Sequence, residues 1–528
     1  MENKKTKIIS IGAVVALALT VITATYAYFN AQVGDPAVAD IKVNANTVDT
    51  FTFSNGSAIS FSINQDNFAS GAGNQTGSTY ASAMLTANNK TNTATEHYYM
   101  YLNIENNTFT YSINTNTPEI IMTVKNSVGN EVTDISTLNH VIVTGANGTQ
   151  VSGYDITNKS GLITLFDNRE ITTTSSKEEK WNITITFVNY DENQNANAGK
   201  SMSAKVMIQK EVIPQVVSDV CSNGTNLATC ITTLANKSIP SATNIYHHDS
   251  SLSNGAGDNS YRYAGASDVV NNFVCFGSNE STCPTDNLYR IIGVFGNNVK
   301  LIKYDYGTTD ELGTDGDYNQ TYKEWGMDST YKGTYGDGER IGVYYWNNTT
   351  QKNTWSESLL NKTNLNTNFI NNIGEEWANK IATTTWKVGG NTYSNIYSKT
   401  PSVVYQNEIV NPVTTNTTDN ATEYTAKIGL MYVSDYGFAA EPSAWTLTIG
   451  NYNNTTATST NWMYMGLYEW TISRIADGSD RAFLVDCDGL VNYGYVYSSY
   501  AVRPSFSLLS SVTYSKGDGT QNSPIRIN

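Results

Sequence analysis

The segment that most constrains the fold is residues 181–187, in which apolar and polar residues alternate strictly. Trp181, Ile183, Ile185 and Phe187 occupy every second position, and Asn182, Thr184 and Thr186 lie between them. Successive side chains of a β-strand point to opposite faces of a sheet. The pattern therefore predicts a strand with one buried and one exposed face.

Similar runs recur between residues 38 and 212, separated by clusters of Asn, Gly, Asp and Ser. They cover residues 50–53, 58–63, 97–104, 109–113, 120–124, 141–144, 162–166 and 202–208. Many short strands with polar turns and no long helical period are typical of two packed antiparallel sheets. We therefore expect an N-terminal antiparallel β-sandwich over residues 38–212.

Length and charge bound the number of domains and the class of partner. A chain of 528 residues is too long for one ordinary core, so at least two domains are expected. It carries 32 basic and 47 acidic residues, a net charge of −15. Because nucleic-acid affinity depends on neutralising phosphates with Lys and Arg, this balance predicts no nucleic-acid partner.

The N-terminus predicts export. Lys4, Lys5 and Lys7 precede an apolar run over residues 8–24, which is followed by the small-x-small site 25–27. Residues 1–29 are therefore predicted to be a signal peptide cleaved after Ala27, or else an N-terminal membrane helix, since residues 8–29 could span a bilayer. We expect an extracellular or cell-surface location, with membrane contact only through this segment.

The sequence ATYAYFNAQVG, followed by AVADIKVNANTVDTFTF, resembles the signal and first strands of camelysin/TasA-type proteins. The resemblance implies a Gram-positive source, a jelly-roll-like form of the sandwich and a possible role in extracellular fibres. Camelysin-like proteins have been discussed as metalloproteases. However, the chain contains no HExxH and no His pair at ligand spacing, so we expect His97 and His140 to be hydrogen-bonded residues of strands or loops.

Five cysteines follow the first domain. Cys221 and Cys230 are close in sequence, as are Cys275 and Cys283, and neither pair forms a CxxC motif. In an exported protein this spacing favours disulfides 221–230 and 275–283 over a zinc site. Cys487 remains as a strand or turn thiol. The first pair lies in residues 213–243, which are predicted to be a linker with a short helix.

Residues 244–528 are predicted to mix strands and helices. Residues 289–295 and 299–303 read as a β-hairpin, and apolar residues at helical spacing mark two segments within 354–380.

A series of motifs in this region resembles an uncharacterised surface domain of Firmicutes. The motifs are YRIIGVF, WSESL, IGLMYVSDYGFAA, NWMYMGLYEWTISR and YAVRPSFSL. That domain is similar to the C-type-lectin-like fold of formylglycine-generating enzymes and of variable retroelement proteins. The resemblance implies a mixed α+β, C-type-lectin-like domain over residues 244–528. The enzymes of this fold need catalytic cysteines that the single Cys487 does not match.

Aromatic residues near the C-terminus are the candidate ligand-binding residues. They lie among Asn, Gly and Ser, a composition typical of adaptable binding surfaces. The candidates are Trp462, Tyr464, Tyr468, Tyr493, Tyr495, Tyr497 and Tyr500. The alternative is equally open, because alternate tyrosines on a strand are often core residues or cross-strand pairs. Arg503 is expected to anchor a buried carboxylate or carbonyl groups.

No catalytic motif is present. The chain lacks GxSxG, P-loop and GxGxxG sequences, and Asp435, Glu469, Asp486 and Asp488 are expected in solvated or turn-stabilising roles. Asp315, Asp317 and Asn319 resemble the start of a calcium loop. However, Gln320 replaces the glycine of position six and no Glu stands at position twelve, so only a looser calcium site stays possible. We expect no other cofactor and no metal site.

These observations predict a non-enzymatic, exported bacterial surface protein. Its C-terminal domain would bind an extracellular glycan or protein ligand noncovalently, in adhesion or matrix assembly. One alternative is a self-assembling fibre subunit that polymerises through the N-terminal β domain by strand donation. Another is a hydrolase of envelope polymers, which would require a carboxylate pair or a metal in a cleft.

Overall fold

The computed structural model describes residues 49–64, 67, 72–88, 92–135, 137–326, 330–412, 421–452 and 455–528. The predicted signal peptide or membrane helix, residues 1–29, lies outside these ranges. The described chain is mostly β, with several antiparallel sheets and few helices. It divides into two compact units, Met1–Val212 (unit 1) and Ile213–Asn528 (unit 2).

Unit 1 contains two antiparallel sheets. The six-stranded sheet has the order β1-β3-β9-β5-β7-β6 and the four-stranded sheet the order β2-β10-β4-β8. The strands are β1 Thr50–Asn55, β2 Ile59–Ser62, β3 Gln75–Thr86, β4 Ala94–Asn107, β5 Ile120–Asn126, β6 His140–Thr144, β7 Gln150–Asp155, β8 Gly161–Thr173, β9 Ser176–Phe187 and β10 Ser201–Gln209.

Residues from both sheets share one apolar core. Ile183 and Ile185 of β9 and Met100 and Leu102 of β4 are fully buried in the same cluster, whereas Asn182 of β9 is exposed. The alternation of residues 181–187 therefore does mark a strand with one buried face. The structure also contains β3, which the apolar pattern missed because its buried face is built largely from alanines.

The prediction of a strand over residues 109–113 is wrong. The backbone N–H groups of Ser112 and Ile113 donate to the carboxylate of Glu119, so they do not pair with a neighbouring strand. Glu119 is fully buried and also accepts hydrogen bonds from Gln194 Nε2 and Asn197 Nδ2, both at 2.8 Å. Because a buried carboxylate needs several donors, this segment folds as a loop around it.

Unit 2 is built on a seven-stranded sheet with the order β11-β12-β14-β15-β25-β20, in which β13 also pairs with β14. Smaller sheets are β16-β17-β24, β18-β19, β21-β22-β23 and β26-β27. The strands are β11 Ile245–His248, β12 Ser260–Tyr263, β13 Phe273–Cys275, β14 Leu288–Phe295, β15 Asn298–Lys303, β16 Tyr318–Thr321, β17 Gly342–Tyr345, β18 Thr384–Lys387, β19 Glu423–Ala426, β20 Ile428–Gly429, β21 Glu469–Arg474, β22 Arg481–Val485, β23 Val491–Tyr495, β24 Ser499–Tyr500, β25 Ser505–Ser507, β26 Tyr514–Lys516 and β27 Arg526–Ile527.

The predicted hairpin is the β14–β15 pair, in which Phe295 faces Asn298 across Gly296 and Asn297. Gly296 has a φ of +60°, a left-handed conformation that suits glycine.

The helices of unit 2 are short. The α-helices are Leu227–Lys237, Pro240–Thr243, Thr309–Leu312, Tyr322–Trp325, Ile370–Asn372, Glu375–Ala378, Tyr393–Ile396, Pro401–Tyr405, Val433–Ala439 and Thr455–Ser459. Leu360–Phe369 and Gln406–Val410 are π-helical. The two predicted helical segments within 354–380 are present, and Gly374, with a φ of +81°, separates Ile370–Asn372 from Glu375–Ala378.

Residues 213–243, predicted as a linker, belong to unit 2. The Asn226 side chain caps the helix Leu227–Lys237 by accepting from the N–H of Thr229 at 3.0 Å. Leu227, Ile231 and Leu234 on one face of this helix are buried in the main apolar cluster of unit 2. The helix therefore contributes to the core of the second unit.

The last residues of unit 2 pair with its first residues. The N–H of Leu227 donates to the carbonyl of Val512 at 3.1 Å, and the N–H of Gly224 donates to the carbonyl of Tyr514 at 2.8 Å. The N–H of Cys275 also donates to the carbonyl of Ile525 at 2.9 Å. The C-terminal segment thus completes the hydrogen bonding of strands and helices formed near residues 224–275.

Candidate functional site

The C-terminal aromatic stretch lies on the sheet β21-β22-β23. In the β22–β23 pair, Arg481 faces Tyr495 and Phe483 faces Tyr493. Gly494 lies between the two tyrosines, and a Cβ at this position would come within 2.8 Å of the Trp470 side chain. The glycine lets β23 pack closely on its buried side while the tyrosines extend from the other side.

An exposed strip of aromatic rings runs along this sheet. Tyr495 and Tyr497 are each 39% exposed, and their stacked rings have centroids 5.0 Å apart. The Arg481 Cζ lies 4.7 Å from the ring centroid of Tyr495 and 5.2 Å from that of Tyr493. Arg481 Nη2 also donates to the Tyr495 hydroxyl at 3.0 Å. We call Tyr393, Arg481, Tyr493, Tyr495 and Tyr497 the tyrosine strip.

Tyr393 extends the strip from a distant part of the chain. It is 39% exposed, and its ring centroid lies 4.4 Å from that of Tyr493. The neighbouring Tyr397 donates to Asn492 Oδ1 at 3.1 Å, which ties the helix Tyr393–Ile396 to β23. Burial and the Tyr393 ring raise the pKa of Tyr397 to about 12. The sequence analysis missed Tyr393, although NTYSNIYS has the same Asn, Ser and Tyr composition as NYGYVYSSY.

Asn353 fixes the turn that carries Arg481. Its Nδ2 donates to the carbonyl groups of Ile475 at 3.0 Å, Gly478 at 2.8 Å and Arg481 at 2.9 Å. Asn353 is fully buried, so these bonds hold the β21–β22 connection in one conformation. The strip therefore presents ring faces, hydroxyl groups and one cation in a defined arrangement. Such a surface suits noncovalent contact with the apolar face of a sugar or with a peptide.

Tyr468 and Tyr500 form a second, less exposed aromatic group. Their rings stack with centroids 5.5 Å apart, and the Tyr500 ring also packs edge-on against Trp470 at 4.8 Å. Trp325, which the sequence analysis did not select, is 41% exposed and lies 5.8 Å from Tyr468. This group is half-buried and makes cross-strand and core contacts, the alternative that the sequence left open.

Trp462 and Tyr464 are core residues and not surface ligands. They are 1% and 6% exposed. Trp462 Nε1 donates to the carbonyl of Tyr263 at 2.8 Å, and the Tyr464 hydroxyl donates to the carbonyl of Cys487. Their rings are enclosed in the main apolar cluster of unit 2, so burial corrects their selection as ligand-binding candidates.

The cysteines pair as their spacing predicts. The Cα atoms of Cys221 and Cys230 lie 5.5 Å apart, and those of Cys275 and Cys283 lie 5.8 Å apart, both at disulfide distance. Cys487, the fifth cysteine, is half-buried, and its thiol interacts with the Tyr468 hydroxyl.

Of the four carboxylates considered for catalysis, Asp488 is exposed, and the other three have separate structural partners. Asp435 bonds to Lys300, and Glu469 bonds to Arg503. Asp486 Oδ1 accepts from the N–H groups of Asp488 and Leu490, both at 3.0 Å, and so stabilises the turn between β22 and β23. Burial raises the pKa of Asp486.

Of the residues weighed as metal ligands, His140 and Asp317 make hydrogen bonds within the fold, whereas His97 lies in an exposed pair whose separation is longer than a hydrogen bond. His140 Nε2 lies 2.8 Å from Glu131 Oε1, and His97 Nε2 lies 3.7 Å from Glu170 Oε2. Asp317 accepts from the N–H of Leu360 at 2.9 Å. Throughout the described ranges, no group of three or more His, Cys, Asp or Glu side chains is arranged to hold a metal ion.

Unit 2 also contains two concavities away from the strip. A wide groove of about 680 Å³ is lined by residues that include Tyr246, His247 and Trp445. A smaller cavity of about 210 Å³ lies between β12, β15, β18 and the helix Val433–Ala439, and buried charged side chains line it.

Among the residues that the structure describes, no helix is both long and apolar enough to cross a membrane. A scan against protein-family models finds no family that matches the chain, and a search of curated proteins finds no matching relative.

Proposed function

We propose that the protein is an exported bacterial surface protein whose unit 2 binds an extracellular glycan or protein ligand through the tyrosine strip. The exposed rings of Tyr495 and Tyr497, which stack on each other, and the guanidinium group of Arg481 over the Tyr495 ring carry this proposal. Contiguous exposed apolar patches are uncommon on soluble proteins and often mark interaction sites. Tyrosines suit such sites because they supply a large contact area with little loss of conformational entropy. The binding serves adhesion or matrix assembly.

We also propose a fold family for each of the two units. Unit 1 is a jelly-roll-like β-sandwich of camelysin/TasA type, which its two sheets around one core support. Unit 2 is a C-type-lectin-like domain related to the Firmicutes surface domain, which its mixture of small sheets and short helices supports. Export through residues 1–29 is carried by the sequence alone.

The test is binding of the full chain to arrays of glycans and host-matrix proteins. A variant with Tyr495→Ala and Tyr497→Ala should lose at least about tenfold in affinity, because truncating central aromatic side chains commonly costs more than 1 kcal/mol each. Tyr80→Ala is the matched control, since Tyr80 is 36% exposed but lies in unit 1. Unchanged binding by the double variant, or no binding by the folded wild type, would reject the proposal.

A second candidate function is self-assembly through unit 1. In the described part of the chain, β6 is the last strand of the six-stranded sheet, and its Ile142 is 65% exposed. An edge strand with exposed β-branched residues is a template for pairing with another chain. The strand donation expected of the N-terminal segment concerns residues outside the described ranges.

Sedimentation velocity and negative-stain microscopy of the purified chain would test this function. Wild type should form fibres, and Ile142→Lys should prevent them, because an inserted charge on an edge strand blocks pairing. Val128→Lys is a control at an exposed apolar position outside β6. A wild type that stays monomeric at high concentration would remove self-assembly through β6 from consideration.

A further inference from the structure

The cavity of about 210 Å³ in unit 2 combines aromatic walls with charged groups at its base. Phe295, Trp386 and Tyr432 supply the walls, and Lys300 and Asp435 lie at the base. Thr384 and Ile409 at the rim are half-exposed, whereas Lys300 is 6% and Asp435 3% exposed. The polar end of the cavity is therefore the buried end.

Lys300 has hydrogen-bonding capacity left over in this cavity. Its Nζ donates to Asp435 Oδ2 at 2.5 Å, the single acceptor for this ammonium group among the described residues. An ammonium group has three N–H donors. The Nζ otherwise faces rings, at 4.4 Å from the Tyr432 centroid and 5.3 Å from the Trp386 centroid. Burial lowers the pKa of Lys300, and the Asp435 carboxylate opposes that effect.

Arg262 and Asp435 also present unused groups. Arg262 Nη2 donates to Asp258 Oδ2 at 2.7 Å, but its Nη1 lies 3.7 Å from Asp435 Oδ1, longer than a hydrogen bond. Asp435 Oδ2 accepts from Lys300 and from the N–H of Tyr432, so Oδ1 keeps room to accept. Donors and an acceptor therefore lie side by side at the base of the cavity.

Every cation that lines the cavity has a carboxylate partner. Arg262 and Lys300 are paired with Asp258 and Asp435 in the lining, and the third cation, Lys387, is paired with Glu423 outside the lining. A net anion would gain little from such a site, because each cation is already paired with a carboxylate. A hydroxyl group both donates and accepts, so several hydroxyl groups on a ring match adjacent donors and acceptors. Aromatic walls match the C–H face of such a ring.

We propose that this cavity binds one neutral sugar ring or a similarly compact polyol, with its hydroxyl groups on Lys300, Arg262 and Asp435 and its apolar face against Trp386 and Tyr432. The volume equals about seven water molecules in the liquid at about 30 Å³ each, which suits a single ring. A ligand of that size is expected to bind with a dissociation constant on the order of millimolar. The site is separate from the tyrosine strip and goes beyond the function proposed for it.

The test is saturation-transfer NMR and calorimetry of the full chain with a panel of neutral hexoses, pentoses, N-acetylhexosamines and sugar acids. At least one neutral sugar should bind saturably. Lys300→Met should weaken that binding at least tenfold, because it removes the ammonium donors while keeping the side-chain length.

A steric variant keeps the test valid if Lys300→Met fails to fold. Thr385 is exposed, lines the cavity and faces Thr425 across the β18–β19 pair. Thr385→Trp should abolish sugar binding, and Thr425→Trp, on the neighbouring strand and outside the cavity lining, should not. The Tyr495→Ala and Tyr497→Ala variant should bind the sugar as wild type does, which separates this site from the strip.

Two results would overturn the proposal. If only sugar acids bind, the cavity is an anion site and the charge balance argument fails. If no sugar binds to the folded wild type, or if Thr385→Trp binds as well as Thr425→Trp, the charged cluster is a structural feature of the core.

Discussion

Arg503 and Glu469 form a two-point ion pair inside unit 2, with Nε 2.8 Å from Oε1 and Nη2 2.9 Å from Oε2. Both side chains are at least 97% buried, and Arg503 Nη2 also donates to the carbonyl of Met463 at 2.7 Å. This is the structural anchor that the sequence predicted for Arg503. It joins β21 to the segment that enters β25, and so holds the C-terminal aromatic stretch to the central sheet.

Glu469→Gln should destabilise unit 2 by about 3 to 5 kcal/mol, because it leaves the guanidinium group of Arg503 buried without a counter-charge. Urea unfolding followed by tryptophan fluorescence measures this, since every tryptophan except Trp181 lies in unit 2. The double variant Glu469→Leu, Arg503→Met should recover much of the loss. Equal midpoints for wild type and Glu469→Gln would contradict a structural role for the pair.

Glu119→Gln should loosen the loop of residues 108–118 in unit 1. Gln places an NH₂ group where Gln194 and Asn197 both donate, so donors would face donors in a buried site. We expect a loss of about 2 kcal/mol and faster hydrogen exchange at Ser112 and Ile113. Glu178→Gln, at an exposed position of β9, is the control. Exchange rates that do not change in Glu119→Gln would show that the carboxylate does not hold the loop.

Replacing Cys275 and Cys283 by Ser should lower the stability of unit 2 by about 2.5 kcal/mol, the loop-closure value for a separation of 8 residues. The Cys221→Ser, Cys230→Ser variant should lose a similar amount, since its separation is 9. Thermal unfolding with and without dithiothreitol measures both effects. Wild type should respond to the reductant by about the sum of the two losses, and a wild type that is insensitive to it would argue against both bridges.

Glu408 should make unit 2 less stable as pH rises. It is fully buried, and burial raises its pKa to about 7, although the N–H groups of Val433 and Ser434 and the Ser473 hydroxyl donate to it. Between about pH 4.5 and pH 7, Glu408 is protonated in the folded protein but ionised in the unfolded chain. Stability attributable to Glu408 therefore falls by up to about 3 kcal/mol between about pH 4.5 and pH 7, and stays level above it.

The difference in unfolding free energy between wild type and Glu408→Gln isolates this effect, because other buried carboxylates such as Asp317 and Asp486 remain in both proteins. The advantage of wild type over Glu408→Gln should shrink as pH rises through this window. A difference that is constant from pH 4.5 to pH 8 would place the pKa of Glu408 near its ordinary value.

Local pattern predicted the strands whose faces differ sharply in polarity. Residues 181–187 alternate between large apolar and small polar side chains, so the sequence predicted which face of this strand is buried. β3 buries Ala81 and Ala83, which carry little hydrophobic signal, and it forms by pairing with β9 about 100 residues further along the chain. Residues 109–113 alternate like a strand, but the nearby carboxylate of Glu119 accepts from the N–H groups of Ser112 and Ile113. The alternation pattern reveals neither of these partners.

The candidate sites also differ in how far the sequence could predict them. The composition around residues 493, 495 and 497 selected these tyrosines as candidates together with Trp462, but nothing in the local sequence indicates that Tyr495 and Tyr497 are exposed and Trp462 is buried. The cavity of about 210 Å³, for which we propose a sugar ligand, could not be predicted from the sequence. Its Arg262, Lys300 and Asp435 come from three separate elements, and a charged residue within an apolar strand gives no indication of which partner it will meet.

The pairing of residues 512–525 with residues 224–275 constrains the order in which unit 2 can form. During synthesis, the helix Leu227–Lys237 and strand β13 emerge nearly 300 and 250 residues before the partners that complete them. Domains generally fold as whole units while the chain emerges. Unit 1 can close while unit 2 is still being made, whereas unit 2 keeps apolar surface open until its last strands arrive. If the chain crosses a membrane before it folds, unit 2 completes its fold outside the cell. The two disulfides near the start of unit 2 can form there before its last strands are in place.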